Sequence, residues 1–463
     1  MVVEKISIFY TNDLHSHFEN WPSIIGRWKR EYKRPLQPNE TRFLLDVGDH
    51  MDRFHPISEE SLGKSNVQIL NKANYNCVTI GNNEGITLEG RDFYHLYDEA
   101  QFDVVCANIS SQTEPQPSWL TPYQIYNTQL GTKIGIIGLT APFTPFYHPN
   151  GWDVFQPLEI LEKYIPILKK KADIIILLSH LGINEDEEIA RQFPEINLII
   201  GGHTHHLLKK GKKVGNTLLT AAGKFGLYTG EAYLTWNPET QLVEKAEAYA
   251  TSIETEEKDE LTEQMLKKLS EQAVSELNHP FMNLKKDLQV NWFEENELIM
   301  LLTEVMKKWT DSDVAMLNGG VLLEGLPSGP VSKFDLLRIC PHPINPCKIN
   351  VTGEELKEIV RVAFTKEIQN FELKGFGFRG KVIGRMMFSG IDVQTSIDSD
   401  GEERVKHIQY RGAPVDPNQR LSLCVPDTFT FGYFFPEIVR APDKQYFLPE
   451  MLRDLLKIAL LNE

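Results

Sequence analysis

Residues 198–205 read Leu-Ile-Ile-Gly-Gly-His-Thr-His, an apolar run that ends in two glycines and a His-x-His pair. The apolar half is typical of a buried strand, and the two glycines mark the place where that strand ends. Alternate side chains beyond a strand point to the same side, so His203 and His205 can face one crevice. Two imidazoles on one face at a strand end predict a metal site.

The same pattern recurs through the first half of the chain. Further apolar runs are each followed by residues that can bind a metal ion: Asp13 and His15, Asp49, Asn82, and His180. Ligands of open α/β sheets bind outside the carboxyl ends of the strands, where all these residues would lie. Each motif alone is more often an ordinary turn. Their joint occurrence predicts a shared centre.

The donor set indicates which ions such a centre would hold. Imidazole, carboxylate and amide donors together suit Mn, Zn, Fe, Ni or Co better than Ca. Seven ligands with one shared carboxylate is the number needed for a pair of ions ~3.5–4 Å apart. We therefore expect two divalent transition metals as the cofactor.

The order of elements predicts the fold class. Short β-rich runs alternate with helical stretches in the first half, which is typical of an α/β domain with a layered core. Residues 1–255 are predicted to form this domain. Residues 256–284 are rich in Glu, Lys and Gln, with apolar residues at helical spacing, and predict a linker helix; a disordered acidic linker is the alternative. Residues 285–463 mix strands and helices and form a second domain.

Composition excludes several classes of partner. The chain has 463 residues and a formal net charge of -16, so it offers no basic excess for nucleic acid or an anionic membrane. No signal-peptide pattern or long apolar span is evident. The five scattered cysteines are typical of a reducing compartment. We expect a cytoplasmic protein with a small phosphorylated substrate, and the oligomeric state is left open.

Taken together, these motifs resemble the calcineurin-like metallophosphoesterase superfamily. The likeness rests on Asp-x-His, Gly-Asp, Gly-Asn-x-Glu, Ser-His-Leu-Gly and Gly-Gly-His-Thr-His, and it extends to the later stretch Asn318-Gly319-Gly320. The branch it resembles is that of the 5'-nucleotidases, which includes UDP-sugar hydrolases and 2',3'-cyclic phosphodiesterases. The resemblance implies a four-layered α/β/β/α catalytic domain, a linker helix, and an α+β C-terminal domain that recognises a nucleoside.

The resemblance also implies a ligand set. One ion would be held by Asp13, His15, Asp49 and His205, and the other by Asp49, Asn82, His180 and His203. Asp49 would bridge the two ions. The implied reaction is hydrolysis of a phosphate ester or anhydride of a nucleotide-like substrate by a hydroxide held between the metals.

The chain departs from the family at the expected proton donor. The family reads Gly-Asn-His-Glu followed two residues later by Asp, whereas this chain has Asn83 and Ile86 at those positions. An amide cannot carry an acidic proton at neutral pH, so the chain is an atypical member that lacks the catalytic His-Asp dyad. His50, beside the bridging ligand, is a candidate for a relocated acid. We expect a preference for good leaving groups.

The second domain departs as well. Leu323 stands where the family has a substrate-holding Arg, and His342 stands where the family has a base-stacking Phe. The candidate substrate residues are therefore Asn318, His342 and Phe429. Phe429 belongs to an aromatic run, 429–435, whose other interpretation is simple strand core.

Two further functional hypotheses remain open. One is a metal-retaining, catalytically weak protein that binds a nucleotide or regulates a partner. The other is a phosphoesterase for a non-nucleotide substrate, which the missing Arg at Leu323 would permit. The complete ligand set favours an enzyme, because a binding module has little use for every ligand.

Overall fold

A computed structural model describes residues 3–113, 115–375, 377–399, 401–432 and 434–462. The chain divides into two compact units, residues 1–273 and 274–463. The division falls inside the segment 256–284, which the sequence predicts to be a linker helix. In the structure a helix covers Glu260–Leu277 and a strand follows at Pro280–Leu284. The helix is shorter than the predicted segment, and it ends before Pro280 because a proline disfavours helical backbone in the residue before it.

The strands of the first unit are β1 (Glu4–Thr11), β2 (Glu40–Asp46), β3 (Cys77–Val78), β4 (Asp103–Val105), β5 (Ile109–Ser111), β6 (Leu120–Thr121), β7 (Tyr123–Asn127), β8 (Lys133–Thr140), β9 (Trp152–Val154), β10 (Ile174–His180), β11 (Leu198–Gly201), β12 (Lys212–Val214), β13 (Thr217–Thr220), β14 (Tyr228–Asn237) and β15 (Leu242–Ser252). Its helices are α1 (Trp21–Lys33), α2 (Pro56–Ser61), α3 (Lys64–Ala73), α4 (Asn82–Ile86), α5 (Gly90–Tyr94), α6 (Thr144–Tyr147), α7 (Pro157–Leu168), α8 (Ile183–Gln192) and α9 (Glu260–Leu277).

Two sheets form the centre of this unit. One has the strand order β15-β14-β1-β2-β3-β4-β6, and the other has the order β12-β13-β11-β10-β8-β7. Strands β1 to β4 are parallel to one another, as are β8, β10, β11 and β13. Parallel strands place their carboxyl ends along one edge of each sheet.

Alternation along the strands produces the layers. Ile6 and Ile8 of β1 lie in the same buried core as Ile176 of β10, which fills the space between the two sheets. Phe9 of β1 faces the other way, into a core that includes α1, and Leu177 of β10 faces a core that includes α7 and α8. The first unit is therefore a four-layered α/β/β/α structure, as the resemblance implies.

The strands of the second unit are β16 (Pro280–Leu284), β17 (Val314–Asn318), β18 (Gly329–Ser332), β19 (Pro346–Thr352), β20 (Met386–Ser389), β21 (Ile391–Ile397), β22 (Glu403–Tyr410), β23 (Ala413–Pro414), β24 (Arg420–Pro426) and β25 (Gln445–Tyr446). Its helices are α10 (Glu297–Trp309), α11 (Lys333–Ile339), α12 (Gly353–Ala363), α13 (Lys366–Gln369), α14 (Pro436–Arg440) and α15 (Leu452–Leu461). The main sheet has the order β20-β17-β24-β19-β25, and a smaller one has the order β21-β22-β23. Among the described residues, no helix combines the length and apolarity that crossing a membrane requires.

Candidate metal centre

Adjacent strand ends bring the first ligand motifs together. The loop after β1 and the loop after β2 run side by side, because the backbone N–H of Asp13 donates to the Gly48 carbonyl (3.1 Å) and that of His15 donates to the Asp49 carbonyl (2.8 Å). Asn82 follows β3, the next strand of the same sheet, and opens helix α4. Neighbouring strands thus place Asp13, His15, Asp49 and Asn82 at one edge.

Two glycines permit the close approach of these loops. A Cβ on Gly81 would lie 2.1 Å from the backbone nitrogen of Asp49 and 2.2 Å from its carboxylate oxygen Oδ1. A Cβ on Gly48, whose φ is +84°, would lie 2.2 Å from the backbone nitrogen of Gly81. A side chain at either position would therefore push the bridging-ligand candidate out of place.

The first group of donors converges closely. The Nε2 atom of His15 lies 3.1 Å from Nε2 of His205 and 3.6 Å from Oδ2 of Asp49. The Nε2 atom of His205 lies 3.4 Å from Oδ1 of Asp13. Ligands about 2.1 Å from one ion and 90–110° apart would be ~3.0–3.4 Å from each other. These spacings fit one divalent ion.

The second group shares Asp49 with the first. The Nε2 atom of His180 lies 3.4 Å from Oδ2 of Asp49 and 3.3 Å from Oδ1 of Asn82. The Nδ1 atom of His203 lies 2.8 Å from the same Asn82 oxygen. Asp13 also lies close to Asp49 and His180, within 4.8 Å. The structure brings all the sequence-predicted ligands into one cluster.

Backbone strain is concentrated in this cluster. Most of the predicted ligands have left-handed backbone, with φ between 49° and 69°: Asp13, His15, Asp49, His203 and His205. Left-handed backbone at a residue other than glycine costs of order 1–3 kcal/mol and is typical of functional sites. The surrounding sheets hold these residues in conformations that aim their side chains inward.

The electrostatics suit a cation. Burial alone would raise the pKa of Asp49, but the adjacent imidazoles of His180 and His15 hold it below its usual range. The pKa of Asp13 is likewise lowered, because a hydrogen bond with His205 and the neighbouring imidazoles outweigh its burial. Both carboxylates are therefore ionised at neutral pH.

Residues behind the ligands fix their orientation. The Nδ1 atom of His180 lies 2.7 Å from the Val47 carbonyl, which selects the tautomer that leaves Nε2 free to bind a metal. Glu84 accepts the backbone N–H groups of Gly81, Asp49 and Met51, each at 3.0 Å. The carboxylate of Glu84, the Glu of the Gly-Asn-x-Glu motif, thus links the loop after β2 to the loop after β3. The sequence does not reveal this role.

Asn83 and Ile86, the positions where the resemblance implies a His-Asp dyad, have defined surroundings. Asn83 is buried, with its Nδ2 atom 2.8 Å from Nδ1 of His15 and 3.1 Å from the Met51 carbonyl. Ile86 packs against the hydrophobic core beneath the site. Neither side chain offers an acidic proton.

His50 does not fit the role of a relocated acid. Its ring is buried, edge-on to Trp21 at 5.1 Å, and its Nδ1 atom lies 3.2 Å from Nδ2 of Asn66. Burial lowers the pKa of His50 to about 3, so the ring is neutral. A neutral imidazole is too weak an acid to protonate a leaving group, and this ring is enclosed by Trp21 and Asn66, so the structure corrects this hypothesis.

Aromatic rings flank the centre on the side of His15 and His205. The Phe225 ring lies 5.9 Å from the His15 ring and 6.3 Å from the His205 ring. His17 packs on Phe225 at 3.9 Å and also contacts Phe54 at 5.3 Å. We call His17, Phe54 and Phe225 the aromatic rim. All three are half-buried, and Phe225 has a left-handed φ of 63°. Sequence reasoning missed the rim, because its members come from separate loops.

The candidate substrate residues of the second unit are buried. His342 is fully buried, stacked on Phe378 at 5.1 Å, with its Nε2 atom 2.7 Å from the Val321 carbonyl. Phe429 is 1% exposed and packs against Phe435. Neither ring is available to stack on a base, so the structure corrects both assignments.

Other residues of these stretches have different surroundings. The Asn318 side chain is also buried and donates to the Ile383 carbonyl at 3.0 Å. Phe434 and Phe371, in contrast, form a partly exposed edge-to-face pair at 4.7 Å. Tyr433, from the same aromatic run, lies outside the described residues.

Comparison with known proteins agrees with this architecture. The family described as "Calcineurin-like phosphoesterase" matches residues 6–207, and the family described as "5'-nucleotidase, C-terminal domain" matches residues 274–432. The metallophosphoesterase YunD of Bacillus subtilis is 41% identical over 454 residues, which cover 98% of each chain. The 5'-nucleotidase of Vibrio cholerae is 25% identical and covers 79% of this chain and 77% of its own.

Solved structures share the fold. The 5'-nucleotidase precursor of Thermus thermophilus matches with a TM-score of 0.60 and 20% identity, covering 99% of this chain and 96% of its own. The NAD nucleotidase of Haemophilus influenzae matches with a TM-score of 0.68 and 15% identity, covering 100% and 96%. The chain therefore belongs to the calcineurin-like phosphoesterases that carry a 5'-nucleotidase C-terminal domain, and it is a metal-dependent phosphoric ester hydrolase.

Proposed function

We propose that this enzyme uses two divalent transition metals to hydrolyse phosphate esters or anhydrides of nucleotide-like substrates, with a preference for good leaving groups. The observation that carries the proposal is the pair of donor groups that share Asp49, since each has spacings suited to one ion. When bound, such a pair of ions would neutralise phosphate charge and activate water for in-line attack.

The chain's own residues define the rest of the site. Asp13, His15 and His205 would hold one ion, and Asn82, His180 and His203 the other, with Asp49 between them. The side-chain carboxylate of Glu84 and the backbone carbonyl of Val47 keep the ligands in place before any substrate arrives. Such preorganisation lowers the cost of reorganisation during the reaction.

The leaving-group preference follows from Asn83, Ile86 and His50. None of these side chains offers a proton to a departing oxygen. Loss of a general acid typically costs 10²–10⁴-fold in rate, and the loss is greatest for a poor leaving group such as a sugar alkoxide. An aryl oxide or a nucleoside phosphate leaves readily without protonation.

The aromatic rim, which lies beside His15 and His205, supports a planar group on the substrate. Aromatic faces stack with planar groups. A phosphoester whose organic part is not a nucleoside is the second candidate substrate, because His342 and Phe429 are both buried.

The test is a comparison of turnover on an aryl phosphodiester and on AMP, with the enzyme loaded with Mn. We expect the diester to be hydrolysed at least ~10²-fold faster, given the missing acid. Asp49→Ala should abolish both activities, and Asp98→Ala, at an exposed carboxylate, should change neither. Faster turnover of AMP would contradict the proposal, as would tight nucleotide binding without turnover of any phosphoester.

A further inference from the structure

Asn83 contacts two metal-ligand candidates at once. Its side-chain amide lies 2.8 Å from Nδ1 of His15, and its backbone N–H donates to Oδ1 of Asp49 at 2.8 Å. The amide is held from a third side by the Met51 carbonyl, 3.1 Å from Nδ2. The residue is 8% exposed, and its amide is directed inward, against the back of a ligand.

The geometry of His15 explains why this contact matters. Nε2 of His15 faces the other donors, at 3.1 Å from His205 and 3.6 Å from Asp49, while Nδ1 faces Asn83. The Oδ2 atom of Asp52 lies 3.5 Å from the same Nδ1. A metal-binding imidazole is oriented by what its other nitrogen contacts. A metal held at Nε2 leaves the His15 proton on Nδ1, so Asn83 would accept that proton through Oδ1, with its amide turned over from the arrangement in which Nδ2 faces both Nδ1 and the Met51 carbonyl.

We propose that Asn83 is a positioning residue for His15, which fixes the ring of this ligand instead of acting on the substrate. The inference rests on the proposed two-metal function. The positioning role of Asn83 gives a physical reason why Asn83 and Ile86 occur together in place of the His and Asp that the resemblance implies. A residue at position 83 that is directed toward His15 needs no partner at position 86 to orient it, and Ile86 instead packs into the core.

The backbone supports the same role. Position 83 is the second residue of α4, whose start lies against the loop of Asp49. The backbone contact with Asp49, which both donor groups share, is kept when the side chain is changed. The side-chain amide contacts His15, which belongs to the first donor group alone, so loss of the side chain should act on the first ion site more than on the second.

The test compares Asn83→Leu with Asn83→Asp in the full chain. Leucine keeps the branched shape and loses both polar contacts, whereas aspartate still offers an acceptor to Nδ1. Asn237→Leu is the matched control, because Asn237 is buried in the β14–β15 hairpin and bonds Glu244 there. Affinity for Mn is measured by competition with a chromogenic chelator, and the paired ions are followed by electron paramagnetic resonance.

We expect Asn83→Leu to lower the Mn affinity of one of the two sites by about 10–100-fold. At limiting Mn, the variant should no longer show the electron paramagnetic resonance spectrum of two exchange-coupled Mn ions. Asn83→Asp should restore affinity to within about threefold of wild type, and Asn237→Leu should lower the melting temperature without changing Mn affinity. If Asn83→Leu binds both ions as wild type does and loses only kcat, the positioning role is wrong. If wild type itself binds fewer than two ions, the two-metal proposal fails instead.

Discussion

At the scale of single residues, the clustering of the ligand candidates could be predicted from the sequence, and the burial of the substrate candidates could not. The ligand candidates are visible in the sequence because each lies at the end of an apolar strand or within a few residues after it, so a local pattern decides where its side chain lies. Burial of His342 and Phe429 depends on the packing of distant segments. The local sequence pattern is the same for an aromatic residue that packs in a core and for one that stacks on a base.

The aromatic rim gives a prediction at this scale. Phe225→Ala should raise KM for an aryl phosphodiester about 2- to 10-fold, because one aromatic pair contributes ~0.5–1.5 kcal/mol. The effect on kcat should be small, since the ring is not a ligand. Steady-state kinetics on the Mn-loaded enzyme measure both constants.

The control for this variant is Phe155→Ala. Phe155 is 44% exposed and is not part of the aromatic rim, so its removal should leave KM unchanged. An aryl diester and a dialkyl diester should be compared for each variant. If Phe225→Ala affects both substrates equally, the ring does not recognise the planar group.

At the scale of elements, the layered sheets were predicted well and the short connections were not. The apolar stretch 77–80 that precedes Gly81 is typical of a strand, whereas the structure has β3 only at Cys77–Val78 and then helix α4 from Asn82. The difference arises from tertiary contacts. Thr79 bonds the Val105 carbonyl through its side chain at 2.7 Å, and Glu84 holds the Gly81 backbone at 3.0 Å.

The turn between β3 and α4 gives a prediction at the element scale. Gly81→Ala should abolish high-affinity metal binding and lower the melting temperature, because its Cβ would lie 2.2 Å from the Asp49 carboxylate oxygen. Overpacking of this kind typically costs ~1–3 kcal/mol. Calorimetry and metal analysis of the purified variant measure both effects.

A matched glycine separates the local clash from general destabilisation. Gly215 has a φ of +58° and open space around its Cβ position. Gly215→Ala should therefore lower stability modestly, through backbone strain, and leave metal binding intact. Equal metal affinity in Gly81→Ala and wild type would show that the close approach of Gly81 to Asp49 is dispensable.

At the scale of the whole molecule, all metal-ligand candidates lie in the first unit. They span positions 13 to 205, within the part that matches the phosphoesterase family. The second unit contributes the 5'-nucleotidase domain, whose predicted nucleoside contacts proved to be buried. The sequence therefore indicates the chemistry of this protein more clearly than its substrate.

The central claim is that two ions, held around Asp49, are required for hydrolysis. The most direct measurement is a titration of the chelated enzyme with Mn, following aryl phosphodiester turnover and bound metal per chain together. The account predicts no activity without metal and a rise that reaches its plateau at two bound ions per chain. Full activity with one bound ion, or activity that survives complete chelation, would contradict it.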